Sequence, residues 1–134
     1  MNYQYDSSLI CFKKSLELSK NLKYYEPLQK ISRVYISLGD FNEALKFALM
    51  TEKSAMITND NDLLARAYVD LGSIFLSLDI GSPKGLSYLN LALQTNVKTN
   101  TTTIKVYEAL SIHTSNIAIE KDDKVLNSKA IEYM

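Results

Sequence analysis

Between residues 9 and 78 the apolar side chains recur at steps of three and four, and this spacing most limits what the chain can fold into. It is the period of an α-helix with one face turned to a core. Leu9, Phe12 and Leu16 follow it, as do Ile31, Val34, Tyr35 and Leu38. Leu64, Ala67, Tyr68, Leu71, Ile74, Phe75 and Leu78 keep it over about four turns. No segment alternates apolar and polar residues between turn signals, so no sheet is expected. Only 4 glycines and 2 prolines occur, which favours long regular elements.

The breaks between these patterns carry capping chemistry. Pro27 suits a first helical turn, where its missing N–H costs nothing. Gly39-Asp40 ends one helix and offers an aspartate cap to the next. The polar run Thr58-Asn59-Asp60-Asn61-Asp62 reads as another stop and cap, and Ser82-Pro83 as cap plus first helical residue. Asn100-Thr101 and Asp122-Asp123 offer two further starts. These signals predict an all-α chain of about seven helices, at 5–21, 26–38, 41–57, 62–78, 83–97, 102–119 and 123–133. Connections this short predict antiparallel neighbours.

A length of 134 residues fits a single domain spanning 1–134, large enough for a core without metal or disulfide staples. Lys+Arg and Asp+Glu are both 15, whereas a nucleic-acid binder carries a basic excess; none is expected as a partner. Cys11 is the single cysteine, so an internal disulfide and a cysteine-based metal site are both out of reach, and a reducing compartment is expected. Residues 1–6 lack a basic segment followed by an apolar one, and no apolar run of about 18 residues occurs. The expectation is a soluble, cytoplasmic protein with no membrane partner and no cofactor.

The helical pattern repeats. Tyr68-x2-Leu71-Gly72-x2-Phe75 has a looser counterpart in Leu28-x2-Ile31-Ser32-x2-Tyr35, and a looser one still in Tyr107-x2-Leu110-Ser111-x2-Thr114. The offsets are 40 residues from Leu28 to Tyr68 and 39 from Tyr68 to Tyr107. Second helices fall in register too: Gly39-Asp40-Phe41-x2-Ala44-x3-Ala48, Tyr5-x2-Ser8-x3-Phe12-x2-Ser15, and Gly85-x3-Leu89-x2-Ala92 after one inserted residue. Small residues at Ser8, Ala44 and Gly85 let one helix lie close to its partner, while Phe12 and Tyr68 fill the gaps between layers.

This pattern resembles the tetratricopeptide repeat in a variant of about 40 residues, of the kind in bacterial peptide-pheromone receptors and signalling scaffolds. The resemblance covers nearly the whole chain. It departs from the usual repeat in length, in its missing closing proline and in serine at two glycine or alanine positions. It implies antiparallel helix hairpins stacked as a short right-handed solenoid of about three and a half repeats. The chain opens on a second helix without its first-helix partner, which suggests a fragment of a longer array or an end covered by another subunit.

No residue group argues for catalysis. His113 is the sole histidine, with no second one to share a metal, and reads as a packing or surface residue. Ser111 and Ser115 lie near it without an acidic residue at a spacing that builds a triad. Cys11 has Lys13 and Lys14 nearby, but its place between Ser8 and Ser15 reads as small-residue packing. Tyr35, Tyr68 and Tyr107 hold repeat positions and are expected in the core; Tyr24 and Tyr25 precede Pro27 in a turn open to a partner. The run 59–62 lacks the glycine and the distal glutamate of a calcium loop and reads as a helix cap.

The resemblance implies instead a concave groove lined by the first helices. At the matching positions stand Glu26, Gln29, Arg33 and Ile36; Arg66, Val69, Ser73 and Leu76; Lys105, Glu108, Ile112 and Ser115. Gln29 and Arg33 stand where part of a lysine–asparagine carboxylate clamp lies in chaperone-binding members, and the asparagine is missing. The mixture of cations with Ile36, Val69, Leu76 and Ile112 suits a peptide bearing acidic and apolar side chains. The expected function is a non-enzymatic protein- or peptide-binding scaffold. The alternative is a sensor segment of a larger signalling protein, a peptide-responsive regulator whose output domain lies outside this chain. Homo-oligomers through the uncapped solenoid ends are also expected.

Overall fold

The computed structural model describes residues 3–19 and 26–132, with side chains for 4–15, 17 and 27–124. The described residues form helices throughout: α1 (Tyr3–Ser19), α2 (Glu26–Leu38), α3 (Phe41–Thr58), α4 (Asn61–Leu78), α5 (Pro83–Gln94) and α6 (Asn100–Glu132). Each packs on its neighbour in the chain, and α4 also packs on α2 and α6. Among the described residues no helix is long and apolar enough to cross a membrane.

The caps fall where the sequence places them. Asp40 accepts from the Glu43 N–H, Asp60 from Leu63 and Ser82 from Gly85, each satisfying a first-turn donor that the helix leaves open. Gly39 and Asn59 take left-handed backbone, at φ 76 and 53, to close α2 and α3. The last predicted start behaves differently. Asp122-Asp123 does not begin a seventh helix; α6 runs through it for 33 residues. Neither glycine nor proline stands there to stop the helix, and Lys124 reaches back across the pair to Glu120 at 2.9 Å. Thr99, rather than Asn100 or Thr101, caps α6: its Oγ1 accepts from the Thr102 N–H.

Small residues set the layers. Ala44, Ala48, Thr51 and Ala55 form the buried stripe of α3, which lies between α2 and α4. Ser32 of α2 donates to the Ala44 carbonyl oxygen at 3.0 Å, so the two backbones are close. α4 is the central helix, burying Leu63, Ala67, Tyr68, Leu71, Ile74 and Leu76 among others. Leu71, Ile74 and Leu89 are fully enclosed, and each such side chain contributes about 1.5–3 kcal/mol. Tyr35 stacks on Phe47, and Phe75 on Tyr88, with ring centroids 5.8 Å apart in both.

Two expected core residues are outside the core. Tyr107 is 61% exposed, because α6 packs inward through Thr102, Val106 and Ala109 and no described helix covers its other side. Cys11 is exposed as well; among the described residues α1 packs chiefly on α2, and Cys11 lies off its half-buried face with Leu9 and Phe12. Tyr24 and Tyr25, like the side chains of Leu16, Leu18, Val125, Leu126 and Ile131, lie outside the described residues.

Candidate functional site

Where α2, α4 and α6 meet, they leave a cleft of about 190 Å³. Helical spacing explains its lining. Arg33, Ile36 and Ser37 share one face of α2; Val69, Asp70 and Ser73 share one face of α4; Lys105, Glu108, Ala109, Ile112 and His113 share one face of α6. Ile36 and Val69 are half-buried and buried, Ile112 is 58% exposed, and the cations stand at the rim, with Arg33 exposed and Lys105 half-buried.

Asp70 is the buried charge of this cleft, 4% exposed. Gln29 Nε2 donates to its Oδ2 at 2.8 Å, joining α2 to α4. Burial pushes its carboxyl up to about 6, against the opposing pull of Arg33, the Gln29 hydrogen bond, Arg66 and Lys105. Lys105 is shifted down, first by burial and then by Lys30, Arg33 and Arg66, with Asp70 opposing. The field around Asp70 is therefore set by a cluster of cations. Burial also shifts His113 down, and its Nε2 lies 3.1 Å from Ser73 Oγ, the donor depending on the ring tautomer.

Of the twelve residues expected to line a groove, the cleft gathers seven: Arg33, Ile36, Val69, Ser73, Lys105, Glu108 and Ile112. Leu76 does not belong with them. It is 2% exposed and faces α5, where a Cβ on Gly85 would meet its Cγ at 2.6 Å. Gln29 is fully buried and acts from behind, as the partner of Asp70. Arg66 is half-buried, its Nε donating to the Asp62 carbonyl oxygen. Ser115 is exposed away from the lining residues, and the Glu26 side chain lies outside the described residues. The sequence reading does not single out Asp70, Ser37 or Ala109, and it takes His113 as a packing or surface residue. A signal existed for Asp70, the lone charge between Arg66 and Asp79 in an apolar helix. His113 follows Lys105 and Ala109 on one α6 stripe.

Ser73 sits in mid-helix, where the neighbouring N–H groups are held by the helix itself. Among the described residues no three His, Cys, Asp or Glu side chains converge on a metal position. Cations at the rim and aliphatic walls suit an anionic group attached to an apolar one, with the buried Asp70 carboxyl beneath them. Comparison with protein families, with curated proteins and with solved structures finds no match for the chain.

Proposed function

We propose that the chain is a non-catalytic binding module, a short tetratricopeptide-like right-handed solenoid that holds a peptide with acidic and apolar side chains between α2, α4 and α6. One observation carries the reading: Arg33 and Lys105 share a cleft with Ile36, Val69 and Ile112. The packing of α4 on both α2 and α6 supports the solenoid, since first helices of successive repeats stack in this way. Cations attract the acidic side chain, while the aliphatic walls bury its apolar neighbours.

A peptide array that pairs Glu or Asp with Leu, Ile or Phe tests this reading. Retention of such peptides is expected, with loss of about tenfold or more in Arg33→Ala and Lys105→Ala, the usual scale for removing a charged contact. Equal retention of scrambled basic peptides would refute it. Tight, salt-sensitive retention of RNA on a filter would refute it as well.

A further inference from the structure

We propose that the cleft takes its anionic group together with a proton on Asp70, so that binding a carboxylate is coupled to proton uptake. The inference rests on the peptide-binding reading and adds a control to the same site. Asp70 lies at the cleft with a single described hydrogen bond, from Gln29 Nε2 at 2.8 Å. The other end of that amide, Gln29 Oε1, is buried and has no hydrogen-bond partner among the described residues. An ionised carboxylate only accepts, so it leaves Oε1 unserved. A protonated carboxyl donates from one oxygen and accepts at the other, and it can serve both ends of the amide.

The ligand acts in the same direction. A carboxylate drawn in by Arg33 and Lys105 arrives beside a buried carboxylate, and two such groups sharing one site do not both stay ionised. The ionisable groups bearing on Asp70 are Arg33 from α2, Arg66 on α4 itself and Lys105 from α6; Glu108 and His113 line the same cleft. Glu52 of α3 bears instead on Tyr68 and Tyr88, and Lys84 of α5 lies over the Phe75 ring at 4.7 Å. Neither reaches Asp70. Because burial already holds Asp70 near 6, the proton is available just below neutrality. If only the protonated form accepts the ligand, the competent fraction rises from about 3% at pH 7.5 to about 75% at pH 5.5, a roughly 25-fold gain in apparent affinity.

Isothermal titration of the full chain tests this with a capped peptide carrying one glutamate among leucines, whose own carboxylate stays largely ionised at pH 5.5. Runs at pH 7.5 and 5.5, in two buffers of different ionisation enthalpy, read affinity and protons together. We expect the roughly 25-fold tightening and uptake of about one proton per complex at pH 7.5. Asp70→Asn, which keeps an acceptor for Gln29, should bind at pH 7.5 as tightly as the wild type does at pH 5.5. His113→Gln should keep the wild-type pH dependence. A glutamine version with a free carboxyl end, run beside it, shows whether the carboxylate comes from a side chain or from the chain terminus. Binding of equal strength at both pH values, or a pH dependence that survives in Asp70→Asn, would overturn the coupling and leave the peptide reading standing. No binding of either peptide at either pH would overturn both.

Discussion

Gly72 and Gly85 meet backbone to backbone where α4 packs on α5: a Cβ on Gly72 would stand 3.0 Å from the Gly85 carbonyl oxygen, and one on Gly85 3.1 Å from that of Gly72. Leu89 and Leu76 close the space on either side. Gly85→Ala gains about 1 kcal/mol of helix propensity. Against that, the new methyl meets backbone and the branch of Leu76 at 2.6 Å, and overpacking of this kind costs about 1–3 kcal/mol. A net loss of up to about 2 kcal/mol is expected in urea denaturation. A midpoint that stays put or rises would show that the two helices can separate without cost.

Ala44→Trp probes the opposite side of α4's neighbour. Ala44 is fully buried, and its carbonyl oxygen accepts from Ser32 at 3.0 Å, so the α2–α3 gap has no room for an indole. Destabilisation of more than about 3 kcal/mol is expected, from overpacking together with loss of the Ser32 bond. An unshifted thermal transition would mean that Ala44 does not stand at this contact.

The close contacts at Ala44 and Gly85 were legible because the signal is local: a small residue at a fixed helical offset admits a close neighbour whatever the partner. The caps at Asp40, Asp60 and Ser82 were legible for the same reason. Asp122-Asp123 misled, because a capping residue permits a helix start without enforcing one, and nothing before it breaks α6. Tyr107 misled, because a repeat position is buried only when a further helix covers it. Leu76 and Gln29 were assigned to the groove by sequence offset, but a one-position turn about the helix axis decides between groove and core. Asp70 was missed because its meaning depends on α2 and α6, which lie about 40 residues away on either side.

Ile10 is 63% exposed and shares a shallow apolar recess with Phe47, among Lys13, Lys14 and Glu17. An apolar patch with a charged rim is the usual form of a contact surface. Self-association through this end is expected, and Ile10→Glu should weaken it while leaving the circular dichroism spectrum unchanged. Light scattering across a concentration series decides the matter. A strictly monomeric wild-type mass at high concentration would remove the basis for an interface here.

Asp70 also makes stability depend on pH in a direction that can be worked out. Its folded-state carboxyl lies near 6, against 3.8 for an unperturbed aspartate, so between these values the folded chain holds a proton that the unfolded chain has released. Its contribution is therefore greatest below 3.8 and is lost as pH rises through 6, by about 3 kcal/mol at most. His113 works the other way. Burial lowers its pKa from 6.5, so its contribution is present above 6.5 and falls as the unfolded chain takes up a proton. The wild-type curve mixes the two, and Asp70→Asn separates them, since it keeps His113 and an acceptor for Gln29. Relative to the wild type, this variant should gain roughly 2–3 kcal/mol between pH 4 and pH 7 in urea denaturation. A constant difference across that range would mean that Asp70 is as easily ionised in the folded chain as in the unfolded one.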